Sequence, residues 1–411
     1  MTSAQHSLIK DHRGTGKPEE ESHGTHVSLM WKGFAKFISM QRNSPTDIPH
    51  SYLEHAVELR ELMSMRFHGQ NGEKLLQDQL QRKLKFLGEF SPVMLEGGPK
   101  TGLTLTTKNG KQSVNIELKV ELGKGGCDPV LQNSLYYVHT YRNDESEGLD
   151  PMLLISIVSC HHFQVFGAVF GPNNQVLCDP LSDTISLLNV PDDPLNLATK
   201  LANLLYALKQ TISQLEAYYA LPPTKCVPYY CQDTIEYIEP IYRTGRVWKG
   251  KKGSDTVVVK FTLTYNSTVH KHLYEHGMAP QLMTEEQMCD GWKVIVMEYI
   301  EGKTLHECTL TDPQKHAIIA KLTEAVQSMK SKKYVHGDLR LPNIMRRDCD
   351  SESESPTPIV IDFDWSGIEG EVKYPVNLNQ VVDWPTTAKP GLPILTTHDM
   401  EMVTKLFTYC Q

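Results

Sequence analysis

Three oxygen-bearing side chains in the last third of the chain have the types and spacing that phosphoryl transfer requires. Asp338 is followed by Asn343 in VHGDLRLPNIM, and Asp362 ends a run of β-branched residues in IVIDFDWSG. Phosphoryl transfer needs a carboxylate near the attacking hydroxyl, and oxygen ligands for the metal ions that bridge the phosphates. A carboxylate, an amide and a second carboxylate in this order, behind an amphipathic helical segment, supply those groups.

A glycine-bearing hairpin and a lysine-bearing strand precede this acidic motif. YRTGRVWKG (242–250) suits a hairpin that covers a nucleotide, because Gly245 lets the backbone approach a ligand closely. DTVVVKF then places Lys260 on a strand of alternating pattern, where its ammonium group can reach phosphate groups. We therefore expect Gly245, Val247 and Lys260 to bind the nucleotide.

The segment VIVMEYIEGKTL (294–305) has the pattern of a strand that runs into a hinge and then a helix start. At such a hinge, an adenine ring could form hydrogen bonds with the backbone near Glu298 and Ile300. Met297 would then lie at the back of the pocket. These three residues complete the predicted ATP site.

Over residues 235–370 the chain resembles protein kinases, because the HxDxxxxN loop, the strand lysine and the hinge occur in the kinase order. The resemblance implies a bilobal fold that binds ATP and Mg²⁺ between its lobes. It also implies that Asp338 is the catalytic base, that Asn343 and Asp362 bind magnesium, and that Lys260 contacts the phosphates.

The chain departs from most protein kinases within the catalytic loop and directly after it. Arg340 stands where most of them have a lysine that steadies the transferred phosphate, and its guanidinium could do so as a bidentate donor. Gly337 replaces the arginine that usually precedes the catalytic aspartate, and Asp364 replaces the flexible glycine of DFG.

Two further departures concern the lysine partner and the size of the C-terminal lobe. The glutamate that usually pairs with the strand lysine is expected near Asn266, and Glu275 lies about nine residues too late. Few residues follow Asp362, so we expect a reduced C-terminal lobe.

HGDLRxxN and DFDW, followed by KYP (373–375), WP and His398-Asp399, resemble more specifically the kinase-like domain of crinkler-type proteins. The resemblance implies an ATP- and Mg²⁺-dependent phosphotransferase, either a Ser/Thr protein kinase or an autophosphorylating one. The HGD motif is also similar to that of small-molecule kinases of the aminoglycoside and choline type, so the acceptor is a hydroxyl of a protein or of a small molecule. A pseudokinase scaffold without chemistry is the alternative.

A second candidate site lies in the first half, in VNIELKVELGKGGCDPVLQ (114–132). Glu117 and Lys119 are two residues apart on a predicted strand and so point to the same face. They resemble the E-x-K half of a restriction-endonuclease-like site, a resemblance that also maps Gln132 to the following helix and Glu73 to the first helix. Action on nucleic acid through Glu117 and Lys119 is therefore a further alternative.

This half-site lacks its second acid. Nucleases of this kind need an acidic residue some fifteen to twenty positions upstream, but residues 97–116 contain neither Asp nor Glu, and Glu96 is the nearest alternative. We therefore expect a degenerate, inactive nuclease-like module.

Composition is that of a globular protein, with 40% hydrophobic and 22% charged residues. The net charge of -8 does not favour nucleic acid as a partner. The most apolar stretch, 151–171, is interrupted at His161, His162 and Gln164, which predicts two buried strands and no membrane span. The nine cysteines form no CxxC pair, which favours a cytoplasmic or nuclear location.

The sequence as a whole predicts an α+β multidomain protein. Pro222, Pro223 and Pro228 end a long amphipathic helix and indicate the domain boundary. The predicted parts are a flexible leader (1–49), an α/β restriction-endonuclease-like domain (50–221), a linker (222–232) and a protein-kinase-like domain (233–411).

Overall fold

The computed structural model has a mixed α/β architecture and divides into two compact units, Met1–Gln232 and Asp233–Gln411. Within the described part of the chain, no helix combines the length and the apolar character needed to cross a membrane. The structure describes residues 9–10, 25–43, 48–65, 72–94, 102–119, 128–141, 148–158, 161–171, 176–188, 194–241, 245–350 and 352–408.

The first unit consists of helices around a mixed sheet. Its helices are α1 (Val27–Met30), α2 (Lys32–Arg42), α3 (His50–Met63), α4 (Gly72–Lys83), α5 (Pro129–Tyr141) and α6 (Pro194–Tyr219). Its strands are β1 (Ile9–Lys10), β2 (Phe90–Ser91), β3 (Leu103–Thr106), β4 (Gln112–Lys119), β5 (Met152–Val158), β6 (His162–Phe170), β7 (Val176–Pro180) and β8 (Ile185–Ser186).

The described strands of this sheet follow the order β1-β7-β6-β5-β4-β3-β2, with β8 beside β6. Strands β2, β3 and β4 form an antiparallel meander, and β5 then pairs with β4 in parallel after the connecting helix α5. The apolar stretch 151–171 contributes β5 and β6, which pair antiparallel. The sheet is buried on both faces: Ile116 and Ile155 pack in one hydrophobic cluster, whereas Leu154 packs with Tyr137 of α5 in another.

The prediction of a flexible leader over residues 1–49 is wrong for the described residues 25–43. Helices α1 and α2 belong to the core, and α2 packs against α6. Phe34 is fully buried, with its ring edge-on to Trp31 at a centroid distance of 4.8 Å. The Asp179 carboxylate on β7 accepts a hydrogen bond of 2.8 Å from the Val27 N–H, which anchors the start of α1. The polar composition of the predicted leader belongs to residues 1–24, whereas residues 27–40 are rich in apolar side chains.

The second unit contains the antiparallel sheet β12-β13-β11-β10-β9 and, among its described helices, α7, α8 and α9. Two smaller sheets, β14-β16-β17 and β15-β18, complete it. The helices are α7 (Ser267–Glu275), α8 (Asp312–Ser331) and α9 (Thr396–Lys405). The strands are β9 (Glu236–Pro240), β10 (Val247–Lys252), β11 (Asp255–Thr262), β12 (Leu282–Gln287), β13 (Lys293–Glu298), β14 (Gly302–Thr304), β15 (Tyr334–Val335), β16 (Ile344–Arg347), β17 (Pro358–Val360) and β18 (Gly367–Ile368).

Helix α8 shows how the local sequence sets an element of this unit. Thr311 caps its first turn in a reciprocal capping box with Gln314, and a proline occupies the first turn, where no backbone donor is lost. The buried residues Ile318, Leu322 and Val326 recur at helical spacing and face the core of the unit. This core also contains Phe363, so it extends to the segment that carries the acidic motif.

Replacement of Phe34 by alanine tests the place of α2 in the core. We expect Phe34→Ala to lower the free energy of unfolding of the first unit by about 3–5 kcal/mol, because a fully buried ring leaves a cavity. Chemical denaturation followed by circular dichroism measures the change. Lys36→Ala, at an exposed position of the same helix, is the matched control and should change stability by about 0.5 kcal/mol or less. Equal effects of the two variants would contradict the core position.

Candidate phosphoryl-transfer site

The segment around Asp338 is held by a buried carboxylate from α9. Asp399 accepts hydrogen bonds from the backbone N–H groups of His336 and Gly337, at 2.7 and 2.9 Å. Burial raises the pKa of Asp399 to about 7, although the two N–H donors act against this shift. These hydrogen bonds fix the loop that carries Asp338, which runs from β15 to a short 3-10 helix at Leu341–Asn343.

Gly337 is required by the backbone of this loop. Its φ of 83° lies in the left-handed region, which side chains other than glycine rarely adopt. A Cβ atom at this position would also lie 2.8 Å from Cδ1 of Ile394. An arginine at this position would therefore be strained by the backbone conformation, and the Ile394 side chain would have to shift.

The Asp338 carboxylate is oriented by two neighbouring side chains. Asn343 donates from Nδ2 to the carboxylate at 2.8 Å and to the Asp338 backbone carbonyl at 3.0 Å. Arg340 donates from Nη2 at 2.9 Å and also from Nε, and its guanidinium lies over the Trp384 ring at 5.2 Å from the centroid. Arg340, expected to contact the transferred phosphate, thus forms a bidentate ion pair with Asp338 in this structure.

Lys260 on β11 lies between two carboxylates. Its Nζ is 2.7 Å from an oxygen of Asp362 and 2.7 Å from an oxygen of Asp364. Thr262, two residues further along the strand, donates to the second oxygen of Asp364 at 2.9 Å. Asp362 has a φ of 68°, an uncommon left-handed conformation that the surrounding contacts maintain.

The two carboxylates beside Lys260 have opposite pKa shifts. Burial acts to raise the pKa of Asp362, but the Lys260 ammonium outweighs it and holds this pKa below the ordinary value. Burial and the neighbouring Asp362 charge raise the pKa of Asp364 to about 6. Burial acts to lower the pKa of Lys260, and the two carboxylates together raise it above the ordinary value. Lys260 therefore stays a cation at neutral pH.

Strand register places the predicted pocket residues on one face of the sheet. Val247 on β10 lies directly opposite Lys260, and Lys260 lies opposite Ile295 on β13. Residues directly opposite each other in an antiparallel pair share a face, as do residues two apart on one strand. Val247, Lys260 and Met297 therefore lie on the same face, and Gly245 precedes β10 with a φ of 62°.

The predicted hinge residues are Glu298, at the end of β13, and Ile300 just beyond it. The Glu298 N–H donates to the Gln281 carbonyl at 2.9 Å, and its carboxylate pairs with Arg347 at 2.9 Å. The side chain and the backbone N–H of Glu298 are thus both engaged within the protein, and the Tyr299 N–H donates to the Thr256 carbonyl at 3.2 Å. Ile300 is buried beyond the end of β13.

Three packed rings link helix α7 to the loop that carries Asp338. His270 of α7 is stacked on Phe363 at a centroid distance of 4.4 Å, and His336 lies against the same ring at 5.2 Å. The imidazole of His270 also bonds to the Tyr265 hydroxyl at 2.6 Å and to the Pro280 carbonyl at 2.8 Å. Sequence patterns do not point to His270, because a single histidine on a short helix carries no signal of its own.

Asn343 and Asp362 fit the requirements of a magnesium ion. Asn343 gives its amide hydrogens to Asp338, so its oxygen is the atom available to a cation, and the Asp362 side chain is 41% exposed. The Ile361 N–H donates to the Asn343 carbonyl at 2.9 Å, which holds the two segments together. Mg²⁺ commonly takes one or two protein ligands and fills its remaining positions with phosphate and water.

Within the described ranges, no group of three or more His, Cys, Asp or Glu side chains could hold a metal ion. A magnesium ion at Asn343 and Asp362 would therefore depend on the nucleotide phosphates for further ligands.

Among the described side chains of the second candidate site, Glu117 and Lys119 are in direct contact. Their carboxylate and ammonium groups are 2.9 Å apart, and Glu117 is buried. Gln132 donates from its amide to the Tyr136 hydroxyl at 2.6 Å. Glu73 belongs to α4, and Glu96 lies outside the described residues.

Gly102, directly before β3, lies close to Glu117. A Cβ atom there would lie 3.4 Å from Oε2 of Glu117, but only 2.0 Å from the Ile116 carbonyl oxygen. A carboxylate at position 102 is thus excluded by the approach of the β4 backbone, so the strand supplies no second acid at this point.

No protein-family model matches this chain, and no curated protein matches it. Among solved structures, the chain is similar to the kinase PK-1 of Cydia pomonella granulovirus, with 20% sequence identity and a TM-score of 0.36. The similarity covers 42% of this chain and 66% of that kinase, just under two thirds of its length. Likeness at this level does not define a fold, so functional roles depend on this chain's own residues.

The ring stack predicts a stability change with pH. Burial lowers the pKa of His270 to about 4 from 6.5, so the unfolded chain binds a proton that the folded protein excludes between these values. Stability is therefore fully present above pH 6.5 and falls as pH drops towards 4, by on the order of 3 kcal/mol.

Chemical denaturation at pH 7 and pH 5 measures this effect in the wild type and in His270→Gln. We expect the wild type to lose more stability than the variant on acidification. His306→Gln, at an exposed position, is the control and should follow the wild type. A parallel loss in wild type and His270→Gln would show that His270 does not titrate in this way.

Proposed function

We propose that residues 233–411 form a protein-kinase-like bilobal domain that binds ATP with Mg²⁺ and transfers the γ-phosphate to a hydroxyl group. The observation that carries the proposal is the arrangement of Asp338, Asn343, Lys260 and Asp362. Asn343 contacts Asp338, Lys260 contacts Asp362, and a backbone hydrogen bond from the Ile361 N–H to the Asn343 carbonyl joins the two segments.

In the proposed reaction, the acceptor oxygen attacks the γ-phosphorus while the bond to the ADP oxygen breaks. Asp338 orients the attacking hydroxyl and receives its proton. Lys260 contributes a fixed positive charge to the phosphates, and Asn343 and Asp362 would hold magnesium, which neutralises the developing charge. Arg340, which contacts Asp338 and Trp384, would contribute a second cation to the transferred group.

We propose a serine or threonine hydroxyl, of another protein or of this chain, as the acceptor. The contact between Arg340 and Trp384 supports an acceptor side bordered by the segment around Trp384. A small-molecule hydroxyl is the other acceptor class to be tested, since the described helices after β17 are limited to α9.

We further propose that residues 50–221 form a restriction-endonuclease-like module without hydrolytic activity. The meander β2-β3-β4, the helix α5 and the parallel strand β5 support the relation. The Glu117–Lys119 ion pair beside Gly102 supports the loss of activity, because metal-dependent hydrolysis needs more than one carboxylate there.

Substitution of Asp338 tests the proposed kinase. We expect Asp338→Asn to lower transfer from γ-labelled ATP by about 10³-fold, because proton transfer and hydroxyl orientation are lost. Equilibrium binding of a fluorescent ATP analogue should stay within about threefold, because Asp338 contacts the acceptor and not the nucleotide.

Asp312→Asn is the matched control, since this aspartate is 82% exposed at the start of α8. It should leave both readouts unchanged. Equal turnover in wild type and Asp338→Asn would refute the assigned mechanism. Magnesium-dependent ATP binding without turnover on protein or small-molecule acceptors would identify a pseudokinase.

A further inference from the structure

The two carboxylates that pair with Lys260 lie in the segment after β17. The Lys260 ammonium group is largely buried and lies at 2.7 Å from both Asp362 and Asp364. A buried ammonium group needs compensating charge, and loss of its partner is costly. Both of these carboxylates lie in the three-residue segment that also supplies the proposed metal ligand.

Helix α7, which follows β11, does not supply this charge. The residues that it buries are Val269, His270 and Leu273. Its glutamate, Glu275, is exposed, and the neighbouring Glu285 of β12 pairs with Lys293 at 2.8 Å. Helix α7 instead contacts the segment through the stack of His270 on Phe363.

Asp362 and Asp364 differ in how firmly they are held. The side chain of Asp364 is 24% exposed and accepts a hydrogen bond from Thr262, which lies on the same strand as Lys260. The side chain of Asp362 is 41% exposed. Asp364 is therefore fixed to the strand through Thr262. Asp362 accepts hydrogen bonds from Lys260 and from the Asp364 N–H through Oδ1, and its greater exposure makes it the more accessible carboxylate for a cation.

We propose that Asp364 is a positioning residue that holds Lys260 towards the nucleotide phosphates, leaving Asp362 to bind magnesium. The proposal rests on the function proposed above. When Asp362 binds the metal ion, Lys260 keeps its ion pair with Asp364. Without Asp364, the ammonium group has Asp362 as its remaining carboxylate, and magnesium must compete with it for that carboxylate.

A double-mutant cycle on ATP affinity tests this role independently of turnover. Asp364→Asn should weaken equilibrium binding of a fluorescent ATP analogue in the presence of Mg²⁺ by about tenfold. In a Lys260→Met background the same substitution should change binding by less than about twofold, because its effect passes through Lys260. Asp364→Glu, which retains a carboxylate, should recover part of the loss.

Thr262→Val provides a second route to the same result, since it keeps both carboxylates and removes only the hydrogen bond to Asp364. We expect about threefold weaker binding that again depends on Lys260. A cycle between Asp364→Asn and Asp338→Asn is the control, and its effects should be additive.

Three outcomes would overturn the proposal: unchanged binding in Asp364→Asn, an equal effect of Asp364→Asn with and without Lys260, or tighter binding through simple loss of negative charge. Absence of ATP binding by the wild type would overturn it as well. Loss of coupling to Lys260 with normal sensitivity of turnover to Asp338 would reject this role and leave the proposed function intact.

Discussion

A buried ammonium group between two carboxylates connects the sheet of the second unit to the segment after β17. A charge in this position is costly unless it is paired, so Lys260 requires Asp362 and Asp364 within reach. Asp364 in turn requires Thr262, and Asp362 requires a left-handed backbone. The conformation of the acidic segment and the orientation of the Lys260 side chain therefore depend on each other.

A second set of contacts fixes the loop that carries Asp338. Asp399 of α9 holds the backbone N–H groups of His336 and Gly337, and the His336 ring packs against Phe363. Phe363 separates the two carboxylates in sequence and also receives His270 from α7. The Phe363 side chain of the acidic segment thus contacts both helix α7 and the loop that carries Asp338. Polar contacts set the directions of the functional groups, and the buried rings set their separation.

The first unit stabilises its polar groups differently. Its sheet is covered on both faces, so a charged residue on a central strand must be neutralised locally. Glu117 meets this requirement through Lys119 on its own strand, and the Ile116 carbonyl leaves no room for a side chain at the nearby Gly102. This pairing uses the same residue types as a hydrolytic half-site, but its geometry is satisfied without a metal ion.

The sequence alone determined the residues of the candidate site and their order, because Asp338, Asn343 and Asp362 belong to short local motifs and Lys260 to an alternating strand. It also indicated strands β5 and β6, since their apolar runs are too short to span a membrane. The tertiary structure decided which groups meet. Lys260 and Asp364 are more than a hundred positions apart, and Asp399 lies far from the loop that it holds. Such pairs depend on strand register and on the space that packed side chains leave, as at Gly337 and in α2. The hydrophobic periodicity of a local segment predicts neither the register nor the packing.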